Sequence, residues 1–219
     1  MDGARQDAAA GPVELDFPFR GRWLVENSPA DRVPSHGSHL FGTTHAIDFV
    51  PVDERGRSAP RTWRSLVSVE PPESFVGFGQ PVLTPVAGTV VAVHDGEPDH
   101  EARRSQPALL AYALTQAGRA RRGPAAIAGN HVVISLAADG PFVLLAHLKR
   151  GTVSVRPGDT VAAGDHVGGC GNSGNSTEPH VHVQVTDSTD WATTRGLPIT
   201  FRSRDGRVWL PVNGEVVDA

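Results

Sequence analysis

The chain of 219 residues has a single cysteine, Cys170. One thiol excludes an internal disulfide framework. Its setting, Gly169-Cys170-Gly171, is that of a small buried residue rather than a reactive thiol. Positive charge is also scarce: the formal net charge is −4 and the pI about 6.2. No basic excess invites nucleic acid or an anionic membrane surface. No apolar run is long enough to span a bilayer, so no transmembrane segment is expected. The first residues, MDGARQDAAAGPVELDFPF, lack a basic stretch followed by an apolar one. As it stands, the sequence therefore reads as soluble and cytoplasmic. A truncated start would instead allow extracellular or cell-wall action. No fixed-period repeat is visible, and the oligomeric state is left open.

What the chain does have is 24 glycines, 18 prolines and 39% hydrophobic residues, a mixture that suits a β-rich, turn-rich protein. Residues 1–12 are small and polar and are expected to be disordered. Residues 13–35 read as an N-terminal extension, 36–190 as the main domain with an insertion at 96–125, and 191–219 as a C-terminal extension. Short strands are expected at Ala46–Val50, at two places between Pro81 and Val93, at His131–Leu136, at Phe142–Leu148 and at His180–Val185. The two between Pro81 and Val93 read as a hairpin. A further hairpin is expected between Phe201 and Val212, around Arg204-Asp205-Gly206. Within the insertion, apolar residues recur at helical spacing over 106–121. The expected fold is all-β, a curled antiparallel sheet or sandwich with a groove, plus that one inserted helix.

Chemistry concentrates in His180-Val181-His182. In a strand, residues two apart share a face, so both imidazoles point the same way. That suits two histidines at one metal, or one ligand beside an acid/base. The Gly/Asn/Ser run from Gly168 to Ser176 lets the backbone approach a strand or ligand closely. The remaining histidines read more blandly. His131 is expected to be packed in a strand, and His94, His100 and His166 to be solvated near turns.

Several motifs then fall in a fixed order. They are Gly129-Asn130-His131-Val132-Val133-Ile134, Ala146-His147-Leu148, Val155-Arg156-Pro157-Gly158-Asp159-Thr160-Val161, Gly171-Asn172-Ser173-Gly174-Asn175-Ser176 and Pro179-His180-Val181-His182. Together they resemble the lysostaphin/LytM-type zinc metallopeptidases, a family with a duplicated hybrid motif fold. The resemblance covers roughly residues 80–186, and 36–52 more loosely. It implies a zinc-dependent endopeptidase with one Zn2+ per chain. It also implies that metal-activated water hydrolyses peptide bonds, typically those of bacterial cell-wall peptidoglycan. By position, His182 and Asp48 match metal ligands, and His147 and His180 match the catalytic histidines.

The departure is the remaining ligand. The family's usual His-x-x-x-Asp would place histidine four residues before Asp48, where Thr44 stands. His36, in Pro34-Ser35-His36-Gly37, is the preferred replacement, with His39 second and His45 third. It resembles a branch of the family in which a Ser-His-Gly loop precedes the strand. Two other readings stay open. One is a catalytically inactive LytM-like binding or regulatory module, for which Thr44 argues. The other is a structural β domain in which Asp48 lies far from His182.

Overall fold

The computed structural model describes residues 11–105 and 123–219. The stretch expected to be helical, 106–121, and all but the end of the one expected to be disordered, 1–12, lie outside the described residues. Among the described residues the protein is mostly β. In chain order the strands are β1 (Val13–Asp16), β2 (Arg22–Glu26), β3 (Ile47–Pro51), β4 (Pro81–Leu83), β5 (Gly88–His94), β6 (Asn130–Ser135), β7 (Phe142–Leu148), β8 (Thr160–Val161), β9 (His166–Gly169), β10 (Val181–Thr186), β11 (Ile199–Arg202), β12 (Val208–Trp209) and β13 (Val216–Asp218).

Eight of these form one sheet in the order β13-β2-β3-β10-β7-β6-β5-β8, antiparallel throughout. A three-stranded sheet, β1-β11-β12, and a two-stranded one, β4-β9, complete the fold. The hairpin expected near Arg204 is present as β11 and β12. The two strands between Pro81 and Val93 form, but not as a hairpin. β4 pairs with β9 and β5 with β6 and β8, because only three-residue β4 crosses to the smaller sheet.

The large sheet obeys strand alternation. Along β10, Val181, Val183 and Val185 enter the main core, while His182, Gln184 and Thr186 face the other side. Along β3, Ile47 and Phe49 enter the core and Asp48 faces the cleft. Residues of the 13–35 segment supply much of that core: Phe17, Phe19, Trp23 and Val25 are all buried. Phe17 stacks on Phe201 at 4.9 Å and meets Phe49 edge-on at 5.9 Å, joining the small sheet to the large one. Cys170 is buried in the same core, where burial pushes its thiol pKa up.

Phe49 has no exposed surface and is flanked by the rings of Phe17, Phe19 and Phe201. Phe49→Ala is therefore expected to cost about 3–5 kcal/mol of stability by chemical denaturation. A loss below about 1 kcal/mol would show that the two sheets are not joined through this ring.

Candidate metal centre and catalytic cleft

The cleft is built on the face of the large sheet that carries the polar half of β10. His182 and Asp48 are register partners, directly opposite across β10 and β3. Cross-strand partners on one face have Cβ atoms about 5 Å apart, so their side chains meet. The Asp48 carboxylate comes within 2.9 Å of His182 Nδ1 through Oδ1 and within 3.1 Å of His36 Nε2 through Oδ2. Asn27, at the end of β2, donates from Nδ2 to the same Oδ2 at 2.7 Å. Single donor atoms of His36, Asp48 and His182 all lie within 4.8 Å of one another.

His147 reaches the cleft by breaking alternation. Its neighbours Val143, Leu145 and Leu148 pack into the main core, so a regular strand would send His147 there too. Instead β7 carries an extra residue here: Asn130 pairs with Leu148 and Val132 with Leu145, and His147 takes φ of 63°. A bulge of this kind re-aims a side chain, at a cost of about 1–3 kcal/mol for the left-handed backbone. His180 arrives from the other end, just before β10, with Nε2 3.7 Å from Asp48 Oδ1.

Each of the four histidines has one nitrogen held by a protein acceptor, and the acceptor fixes the tautomer. His147 Nδ1–H donates to the Ser173 carbonyl at 2.9 Å, and His180 Nδ1–H to the Glu178 carbonyl at 2.8 Å. Ser35 Oγ donates to the Thr43 carbonyl and so accepts from His36 Nδ1–H at 3.0 Å. Gln184 Nε2 donates to the Phe41 carbonyl at 2.9 Å, which turns its Oε1 towards His182 Nε2–H at 3.0 Å. The opposite nitrogens, Nε2 of His36, His147 and His180 and Nδ1 of His182, are left as the ones able to take a proton or a metal.

Two backbone features supply these acceptors. Gly174, at φ of 69°, lies so close to Gly129 that a Cβ would stand 2.5 Å from its nitrogen. This contact seats Ser173 between the ends of β6 and β7, where its hydroxyl accepts from Asn130 N and donates to the Leu148 carbonyl. The turn Leu40–His45 contains Phe41 at φ of 57° and Gly42 at φ of 76°. A Cβ on Gly42 would run into Thr186, so glycine lets the turn lie on β10 and present the Phe41 carbonyl to Gln184.

The electrostatics follow from burial and pairing. Burial alone would raise Asp48, but the charges of His36 and His180 and hydrogen bonds from His182 and His36 hold it well below the usual carboxylate range. Burial lowers His182, yet its bonds to Asp48 and Gln184 leave it raised overall. Burial, reinforced by His180 and His182, takes His147 well below its ordinary value.

Two imidazole nitrogens and one carboxylate are the donor set of a tetrahedral zinc site with one open position. Bonds of about 2.0–2.1 Å place tetrahedral donors about 3.3 Å apart. The 2.9 and 3.1 Å separations from Asp48 are close to that, so the residues present fit the ion. They stand in a cleft of about 210 Å³ that Asn27, His147, His180 and Trp191 also line.

Of the three histidines considered upstream, the structure brings His36 to Asp48. His39 is exposed and shares a hydrogen bond with Thr44 Oγ1, and His45 is half-buried at the end of its turn. His131 is buried in β6 as expected, but it also lines a second pocket beside the cleft. His100 is not simply solvated: its Nε2 lies 3.0 Å from the Gly174 carbonyl. Asn27, Ser35 and Gln184 escaped the sequence reading. Alternation does place Gln184 on the His182 face. Nothing near Asn27 marks it, since its partner is 21 residues away.

Residues 108–195 match the family model described as Peptidase family M23. By this match the segment carrying His147, His180 and His182 is similar to that of an M23 peptidase. His36 and Asp48 lie upstream of it and join it through the fold. Among solved structures, the chain is similar to a catalytic-domain mutant of the prophage-encoded M23 protein EnpA from Enterococcus faecalis. Identity is 18%, covering 86% of this chain and 90% of that one, at a TM-score of 0.41. The catalytic domain of lysostaphin from Staphylococcus simulans is 18% identical, covering 73% and 86%, at 0.38. A structure from Pseudomonas aeruginosa assigned to peptidase M23 is 18% identical over 80% of this chain, at 0.39, and the chain spans 45% of its length. At these TM-scores the likenesses add nothing to the chemistry of the site. No helix among the described residues is long and apolar enough to cross a membrane.

A histidine buried among neighbouring imidazoles resists protonation. NMR titration of metal-free protein is expected to show His147 taking its proton only as pH falls well below 6.5, with Nδ1–H retained above that. Titration at or above 6.5 would contradict its burial beside His180 and His182.

Proposed function

We propose that the protein is a zinc-dependent endopeptidase that hydrolyses peptide bonds, with bacterial cell-wall peptidoglycan as the substrate class. The observation that carries this reading is the convergence of His36, Asp48 and His182 within 4.8 Å, in one cleft with His147 and His180. The M23 match supports the substrate class.

His36 Nε2, one Asp48 oxygen and His182 Nδ1 would hold one zinc ion per chain. Bound there, zinc supplies Lewis acidity towards a carbonyl oxygen and towards water. His147 stays neutral, because burial and its neighbours disfavour the imidazolium. Its Nε2 therefore acts as the general base that takes a proton from the attacking water. The His147 and His180 rings stand 4.7 Å apart on the same cleft. The proton taken by His147 passes to the leaving amine, and His180, anchored through Nδ1–H, would donate to the developing oxyanion from Nε2 once protonated there. Asn27 and Gln184 act through the ligands: one holds Asp48 Oδ2, the other keeps the His182 proton on Nε2. Water is the nucleophile and no covalent enzyme intermediate forms.

Elemental analysis and amine release from purified peptidoglycan test this together. The wild type is expected to hold one zinc and to release amines. His36→Ala and His182→Ala should lose the metal. His147→Asn and His180→Asn should keep it while losing roughly 10²–10⁴-fold in rate. A wild type that takes up no zinc on reconstitution overturns the reading. One that holds zinc but cuts no amide is instead a metal-bearing binding module.

A further inference from the structure

His147 depends on two backbone segments. One is the end of β7, which carries it at φ of 63°. The other is the loop 171–174, whose Ser173 carbonyl accepts its Nδ1–H at 2.9 Å. The two meet directly where Gly171 N–H donates to the His147 carbonyl at 3.0 Å. A residue held in left-handed backbone persists only where its surroundings over-determine it. Residues 95–100, which follow β5, supply much of that surrounding structure.

Asp99 spans both segments. Its Oδ1 accepts from the Asn172 N–H at 2.7 Å and its Oδ2 from the Arg150 N–H at 3.0 Å. Asn172 immediately precedes Ser173, and Arg150 stands just after β7, on the same turn of chain that leaves His147. Bonds from a carboxylate to backbone N–H groups are roughly twice as strong as neutral ones, and its two oxygens keep a fixed separation. One group therefore sets the spacing between the imidazole and the carbonyl that orients it. Gly171 leaves the room for this: a Cβ there would stand 2.6 Å from Asp99 Oδ1 and run into the Lys149 backbone. His100 adds a second hold on the loop. Its Nε2–H donates to the Gly174 carbonyl at 3.0 Å, and its carbonyl accepts from Asn172 Nδ2 at 2.7 Å. Asp95 behaves differently. It accepts from Gly151 N–H at 2.6 Å and from Val153 N–H at 3.1 Å, so it holds the β7 side alone.

Resting on the peptidase reading, we propose that Asp99 is a positioning residue for the general base His147. It lines neither the cleft nor the metal centre. It acts through backbone, by holding the Ser173 carbonyl against His147 Nδ1–H, and so keeps Nε2 unprotonated. With the proton on Nε2 instead, that nitrogen could not take one from water.

The test compares Asp99→Ala, Asp99→Asn and Asp95→Ala in the full chain. NMR of the ring nitrogens in metal-free protein at neutral pH, with His147 assigned through His147→Asn, reads which nitrogen carries the proton. The wild type is expected to show the Nδ1–H form, and Asp99→Ala a mixture of both forms. Asp99→Asn keeps one acceptor oxygen but turns an amide donor on the other backbone N–H, so it should fall between them. After reconstitution all three should hold the same zinc as the wild type. On a soluble peptidoglycan fragment Asp99→Ala should lose about 10–100-fold in kcat with KM within about twofold. Asp95→Ala should match the wild type in both readouts, which separates the brace from a general loosening of the turn. A wild-type proton position and kcat in Asp99→Ala overturn the proposal, and so does an equal loss in Asp95→Ala. Should Asp99→Ala not fold, Asp99→Asn is judged by the same readouts, and failure of both to fold makes Asp99 a folding residue and overturns the proposal too. A shifted proton in a protein that cuts no amide keeps the brace and counts against the peptidase, whereas cleavage with no shift does the reverse.

Discussion

Asp48 is a carboxylate with only 6% of its surface exposed, standing opposite a histidine in the middle of a sheet. An ionised group so far from water costs several kcal/mol unless partners surround it. Asn27, His36 and His182 each approach it within 3.1 Å, and they come from just after β2, from a loop and from β10. Strand pairing already sets β2 and β10 beside β3, and the loop carrying His36 is tied to them at this one group. Without a metal, the nearest compensation is an imidazolium at His182, and the raised His182 and lowered Asp48 pKa values describe that pair. The proposed zinc replaces the shared proton with a stronger positive charge.

The second constraint is orientation. An imidazole can serve a metal or move a proton only through an unprotonated nitrogen, and here the protein chooses which nitrogen that is. The acceptors are the carbonyls of Ser173 and Glu178, the Ser35 hydroxyl and the Gln184 amide. Two of the four depend on left-handed backbone near the cleft, at Gly174 behind Ser173 and at Phe41 behind Gln184. His147 is itself left-handed. Strain gathered around one cleft, with a packed core beneath it, is the distribution expected where geometry serves chemistry rather than stability.

Much of this was legible in the sequence. Valines alternating with His182 and Gln184 announced β10 and its two faces, because a strand has a period of two. The Gly/Asn/Ser run before Pro179 announced a close backbone approach, and Gly174 makes one against Gly129. The reach of His36 was approachable only through resemblance, since it stands twelve residues before Asp48, beyond the turn Leu40–His45, and no sequence pattern fixes its direction. Asn27 was invisible for a related reason: strand pairing brings β2 to β3, and no local pattern says which partner a strand will choose. The Pro81–Val93 hairpin was misread on the same account, because two strands joined by a short turn usually pair, but β4 finds β9. The second pocket was hidden because its lining comes from four strands and a following loop, each unremarkable alone.

The central claim is that two histidines and one aspartate of this chain share a single metal. Zinc K-edge X-ray absorption on the reconstituted full chain tests it directly. The account predicts a shell of nitrogen and oxygen at about 2.0–2.2 Å, with the multiple scattering of two imidazole rings. One ring or none, or a shell of oxygen alone, would contradict it.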